Sequence, residues 1–163
     1  MRVLAIGAHP DDIEIACSGT LAKCVKRGDK VIVCHASTGN LGHVIIPPDE
    51  LTKIRKKEAE RAGSLAGIEV IGGMFNDLDI FDNNKAARDK MVEVIKYAQP
   101  DFIITHNPDD YMPDHTAVSR LVFDASFTAT LPNYHVGGEK AAKLVPIYYM
   151  DTLAGVNFNP TEF

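Results

Sequence analysis

Four residues in this chain could together carry out metal-assisted hydrolysis. Three of them lie in the run Ala8-His9-Pro10-Asp11-Asp12, and the fourth, His115, comes about a hundred residues later. His9 and Asp12 are three apart at what reads as a strand-to-helix turn, and Pro10 between them fixes one backbone angle and stiffens the turn. Two imidazoles and one carboxylate make a three-ligand zinc site with an open fourth position, the form that catalytic zinc takes. The open position holds water, whose pKa the metal lowers toward neutrality. Asp11 is adjacent to Asp12 but should point elsewhere, which makes it the candidate general base for the water's proton. Burying both aspartates deeply without a metal would be costly, because like charges repel. Taken singly, each residue has a plainer reading. An Asp-Asp pair after a strand is often a helix N-cap, and a lone histidine at a helix start is more often a surface group. Only their meeting in space favours the metal.

The elements must therefore bring them together. Arg2 to Gly7 is a short apolar run that reads as a buried strand. Ile13 to Arg27 reads as one helix, closed by Gly28. Lys30 to Ala36 is the next strand, and a Gly-containing loop, Ser37 to Pro48, follows it. A helix rich in Lys, Arg and Glu runs from Asp49 to Ala66, with Gly67 as its stop. Ile68 to Ile71 reads as a short strand, Asn76 to Asn84 as a polar loop, and Lys85 to Ala98 as an amphipathic helix. Asp101 to Thr105 is a strand, His106 to Asp114 a loop, His115 to Phe127 a helix and Val145 to Met150 a last strand. Pro132 to Lys140 reads as the most mobile loop. Such alternation predicts an α/β, Rossmann-like three-layer sandwich with a mainly parallel sheet. In the common strand order 3-2-1-4-5 the first and fourth strands are neighbours, with a crevice between their C-terminal ends. His9 to Asp12 and His106 to His115 follow those two strands, so they should meet.

Composition narrows the partners. The chain has 163 residues, 45% of them hydrophobic and 24% charged, which suits one globular domain over 1–163. A net charge of −5 argues against nucleic acid or an anionic membrane as partner. Cys17 and Cys24 are seven apart on the expected helix, roughly 10 Å along its axis, too far for a disulfide. Buried free thiols in a reducing cytoplasm are the expectation. Met1 to Ala8 is too short and too soon interrupted to be a signal peptide, and no run is long enough to span a bilayer.

The segment Ala8 to Ile15, with Ser18-Gly19-Thr20-Leu21 after it, resembles the opening motif of the LmbE-like, or PIG-L, family of zinc deacetylases. Pro100-Asp101 to Thr105-His106 and Asp110 to His115 resemble that family's second motif, and Arg55, Glu58 and Ala59 match a third. The resemblance runs the length of the chain. It implies a Rossmann-like fold, one zinc per chain on His9, Asp12 and His115, Asp11 as base and Arg55 as a substrate-contacting group. Without the resemblance, Arg55 would read as an exposed helical ion-pair partner. The family acts on N-acetylglucosamine conjugates, and many members assemble as trimers or hexamers. This chain therefore reads as an N-deacetylase of such a small molecule.

In two places the chain departs from the family pattern. Three residues before the last ligand, where the family usually carries a histidine that stabilises the oxyanion, stands Met112. A thioether donates no hydrogen bond, and loss of one such donor costs about 100- to 1,000-fold in turnover. His106 and Tyr111 are the nearby candidates to replace it. The chain also ends at Phe163, so it is expected to lack the family's C-terminal portion. Both departures motivate a second reading: a metal-binding, catalytically weak member acting as a partner or regulatory protein. A dinucleotide-binding domain is disfavoured, because Ala-His-Pro-Asp-Asp stands where pyrophosphate needs glycines and bare amides.

Other features read more plainly. His35 is a core histidine, while His43 and His135 are surface groups. Asp77, Asp79 and Asp82 lack the glycine and glutamate of an EF-hand and read as loop and cap residues. Thr38 to Gly42 lacks the lysine of a P-loop and, by the resemblance, forms an active-site rim.

Overall fold

The computed structural model describes residues 1–137, 140–156 and 158–161. Its sheet has five parallel strands: β1 (Arg2–Gly7), β2 (Lys30–Ser37), β3 (Glu69–Phe75), β4 (Phe102–His106) and β5 (Ile147–Met150). They lie in the order β3-β2-β1-β4-β5, the order expected from the alternation of elements. The helices are α1 (Asp12–Ala16), α2 (Ser18–Lys26), α3 (Pro48–Ala66), α4 (Lys85–Ala98) and α5 (Pro113–Thr128).

The pleat of β1 sorts its side chains between two cores. Leu4 and Ile6 join Ile32, Cys34 and Ile103 under α4 and α5. Val3 and Ala5 join Val31 and Val33 under α1 and α2. A leucine or isoleucine sealed this completely contributes about 1.5–3 kcal/mol. A strand buried on both faces is apolar throughout, which is why β1 carries no polar alternation.

Three expectations are corrected. The single helix over Ile13 to Arg27 is two, broken at Cys17, whose φ of −142° is not helical. Ser18 and Gly19, both weak helix formers, begin the second piece. β3 runs on to Phe75 instead of stopping at Ile71, because Gly72 and Gly73, which break a strand signal in sequence, sit inside it. α5 begins at Pro113, which suits the first helical position because it needs no N–H partner. This puts His115 inside the first turn rather than at the start. Gly67 ends α3 in the left-handed conformation, as expected, and Asn84 caps α4 through Ala86 N–H and Ala87 N–H.

The loop over Pro132 to Lys140 lies partly outside the described residues. Among the described residues no helix is long and apolar enough to cross a membrane.

Candidate metal centre

β1 and β4 lie side by side with Ile6 opposite Thr105, so their C-terminal ends open at the same level. His9 and Asp12 follow the first strand. His106 ends the second, and Asp110, Asp114 and His115 follow it.

Asp12 is the hub. It is buried, and its Oδ2 accepts the His9 N–H at 2.7 Å. Three imidazoles surround its carboxylate. His115 Nε2 lies 3.3 Å from Oδ1, His106 Nε2 3.1 Å from Oδ2 and His9 Nδ1 3.6 Å from Oδ2. One ligand atom from each of His9, Asp12 and His115 falls within 4.8 Å of the others. These are the three residues expected to hold a metal, and the fold brings them together.

Each of the two outer imidazoles is held from behind by a carboxylate. His115 Nδ1–H donates to Asp110 Oδ2 at 3.0 Å, and His9 Nε2–H donates to Asp114 Oδ2 at 3.1 Å. A carboxylate only accepts, so each bond fixes the proton on the far nitrogen. The near nitrogen, His9 Nδ1 or His115 Nε2, is left as a lone pair facing Asp12. His115 Nε2 is buried and has no hydrogen-bond partner. Two imidazole lone pairs and a carboxylate converging on one buried space suit a cation, and a carboxylate behind each imidazole is how metal-binding histidines are usually oriented. The residues present therefore fit a divalent metal of the zinc type.

The electrostatics agree. Burial alone would push the His9 imidazole down, but the carboxylates of Asp114 and Asp12 outweigh it and raise it to about 10. Burial also opposes ionisation of Asp12, yet the imidazoles of His106, His115 and His9 hold its carboxyl far below the usual range. Against its own burial, His115 is raised by Asp12 and Asp110. The carboxylates thus demand positive charge in this space. A divalent ion on the same lone pairs would supply it.

His106 was not assigned as a ligand from sequence. It is buried and stacks on His115, with centroids 3.8 Å apart. Its Nε2 lies 2.9 Å from Ala8 N and 3.1 Å from Asp12 Oδ2. It either accepts from the first or donates to the second, and in both cases it braces the hub from below. With Asp110 and His115 it makes a second group of potential ligands. Its Nε2, the candidate oxyanion donor, is thus already engaged by Ala8 and Asp12. Tyr111, the other candidate, is exposed.

Asp11 turns away from this cluster, as expected. Its side chain is about half exposed, and its Oδ2 meets Arg55 Nη1 at 3.1 Å. The same Nη1 donates to Pro10 O at 2.7 Å. Arg55, expected to contact substrate, therefore also clamps the Pro10-Asp11 turn.

Asp77 stitches the neighbouring loops together. Its Oδ1 accepts from Ser37 Oγ at 2.8 Å and its Oδ2 from Leu41 N–H at 2.9 Å. The next residue, Leu78, in the left-handed conformation at φ 64°, donates its N–H to Asp114 Oδ2 at 2.8 Å. Asp110 and Asp114 had no role assigned from sequence. Their sequence signals, proximity to His115 and a place in the second motif, do not say which carboxylate turns inward.

Comparison with known proteins places the chain in a family. Residues 4–126 match the family model PIG-L, described as GlcNAc-PI de-N-acetylase. A 4-oxalmesaconate hydratase from Pseudomonas putida is 28% identical over 152 residues, covering 89% of this chain and 58% of that protein. A 1D-myo-inositol 2-acetamido-2-deoxy-alpha-D-glucopyranoside deacetylase from Corynebacterium diphtheriae is 27% identical over 158 residues, covering 80% of this chain and 54% of that protein. The chain thus spans a little over half the length of these relatives. Among solved structures, the conserved protein TT1542 from Thermus thermophilus superposes with a TM-score of 0.85 at 26% identity, covering 98% of this chain and 70% of the other. The N,N'-diacetylchitobiose deacetylase from Pyrococcus horikoshii gives 0.83 at 25% identity, covering 93% and 60%. The matched span holds every residue of the candidate centre, and the chain belongs to the PIG-L family.

Proposed function

We propose that this chain is a zinc-dependent N-deacetylase acting on a small molecule that contains N-acetylglucosamine. The observation that carries the reading is the convergence of His9, Asp12 and His115, with the buried His115 Nε2 facing Asp12 Oδ1 at 3.3 Å and making no hydrogen bond. A zinc ion held by these three groups would supply Lewis acidity and lower the pKa of water toward neutrality.

The chain's own residues do the rest. Asp110 and Asp114 keep the protons on the far nitrogens, so the near nitrogens stay available as ligands. Asp11, at the rim and outside the ligand set, accepts the proton of the water that adds to the amide carbon. The C–N bond then breaks and the same carboxyl returns the proton to the leaving nitrogen, giving acetate and a free amine. Arg55 restrains Asp11 and Pro10 and so fixes where that proton is taken. The names of the Corynebacterium and Pyrococcus relatives share an acetamido sugar, which supports the substrate class.

A second reading is favoured by one relative and one residue. The Pseudomonas relative is a hydratase, and Met112 offers no hydrogen bond to an amide oxyanion. The same centre would then direct water to a carbon–carbon double bond of an unsaturated acid.

One assay separates the two. The zinc-loaded chain is incubated with N-acetylglucosamine conjugates and, separately, with an unsaturated dicarboxylic acid. Acetate release is expected. Loss of the unsaturated acid's ultraviolet absorbance without acetate release from any acetamido sugar would replace the first reading with the second.

A further inference from the structure

A cavity of about 410 Å³ lies between α3 and the C-terminal ends of β2 and β3, beside the Pro10-Asp11 turn. A groove of about 520 Å³ lies at the other edge of the sheet, where α5 meets β5. The groove takes no part in the chemistry proposed above. Phe123, Arg120 and Asp124 line it from α5, and Tyr149 lines it from β5. Its surroundings are aromatic and uncovered. Phe123 and Phe127, one turn apart on α5, are 62% and 60% exposed. Side chains alternate along a strand, so Tyr149 shares the α5 face with Ile147, and Tyr148 stands on the other face, edge-on to Phe102. Both tyrosines are exposed. At about 200 Å² per aromatic side chain, the four together show roughly 400 Å² to solvent. A soluble monomer rarely leaves a contiguous apolar patch of more than a few hundred square ångströms bare.

The strand beside the patch is bare as well. Among the described residues β4 is the only strand next to β5, so the outer N–H and C=O groups of β5 point away from the sheet. Natural sheets protect such edges with charge or proline. Ile147–Met150 contains neither. The opposite edge, β3, does carry protection: Glu69 is ion-paired with Lys30, and Gly72 and Gly73 weaken its pairing.

We propose that this face joins two copies of the chain, with their β5 strands paired antiparallel across a two-fold axis and the two sheets continuous. A two-fold axis perpendicular to a strand sets it antiparallel to its own copy, the pairing with straight hydrogen bonds. The same axis sets each patch against itself, so the patch must be self-complementary. The groove beside Phe123 and Tyr149 lies among aromatic rings able to fill it in a second copy. Arg120 and Asp124, one turn apart at the groove, offer one charge of each sign for a copy to match. The area fits too. The four rings, the strand edge and Leu131, exposed just past α5, approach the about 800 Å² per partner of a standard interface. The contact needs neither the metal nor the reaction.

The test is analytical ultracentrifugation of the full chain over a dilution series, with Phe123→Glu, Phe127→Glu and, as a control, Leu65→Glu on α3. All three side chains are exposed, so the fold should survive each change. The wild type should sediment at twice the chain's mass. Each phenylalanine variant should raise the dimer dissociation constant about 100-fold, because an aromatic hot spot is lost twice across the axis. Leu65→Glu should leave it unchanged. Hydrogen exchange on the wild type tests the strand pairing without any variant. The β5 amides that point away from β4 should exchange at least about tenfold more slowly in the dimer than after dilution. A monomer at every concentration overturns the proposal and leaves the face to a different chain. A trimer overturns it as well, since head-to-tail contacts cannot pair β5 with its own copy. So does an assembly that both phenylalanine variants leave intact, or a dimer in which β5 exchanges as fast as in the monomer.

Discussion

The two halves of the sheet's C-terminal edge are built in opposite ways. Beyond β1 and β4, polar side chains brace one another: Asp110 behind His115, Asp114 behind His9, His106 stacked on His115 and Asp12 at the hub. Beyond β2 and β3 the space is bounded by glycine backbone, an apolar wall and long charged side chains on α3. The first edge turns two imidazole nitrogens and a carboxylate toward one buried space, which suits a cation. The second leaves room and a few unpaired groups. The proposed hydrolysis would need both, because chemistry requires a rigid centre and substrate choice requires a shaped space beside it. The Pro10-Asp11 turn, held by Arg55, is where the two edges meet.

The comparison breaks most readily at the hub. His115→Ala should take bound zinc from about one ion per chain to nearly none by elemental analysis, and acetate release with it. Full metal retention in that variant would refute the ligand set. At the junction, Asp11→Asn should keep the metal and lose about 10²- to 10⁴-fold in turnover, because only the proton acceptor is removed. Wild-type turnover in a metal-loaded Asp11→Asn protein would end the base assignment. Behind the ligands, Asp110→Asn should weaken zinc by about 10- to 100-fold in a chelator competition, since the bond that orients His115 is weakened. No change there would mean that packing alone positions the ring.

The smallest expected effect lies below both edges. Burial pushes the Cys34 and Cys17 thiols up to about 12. Both stay protonated at pH 8, and the thiolate is the reactive form. Alkylation of these two should therefore be negligible in the folded protein at pH 8 and complete in denaturant, as read by mass spectrometry. Fast labelling of Cys34 in the native state would show that β2 opens beneath the cavity.

Much of this was legible in the chain. The alternation of apolar runs and capped amphipathic segments gave the strand order, because a strand buried on both faces and a helix with one apolar face differ in period. His9, Asp12 and His115 were legible because each follows a strand that this order places at the switch point. The break at Cys17 was not, because its residue types permit one helix. The extension of β3 was hidden by Gly72 and Gly73, which serve the sheet through close approach to His35 rather than through propensity.

The sequence by itself determined the fold class, the two loops that must meet and the residue types able to bind a metal, since period and residue chemistry are local properties. Tertiary structure alone decided which carboxylates turn inward. Asp110 and Asp114 flank the same helix start as Asp109, and nothing in their spacing separates them. Only the packing of α5 against β1 and β4 sets Asp110 behind one imidazole and Asp114 behind the other. The cavity, too, exists only in three dimensions, because it is the gap left between α3 and β3 beside Gly72 and Gly73.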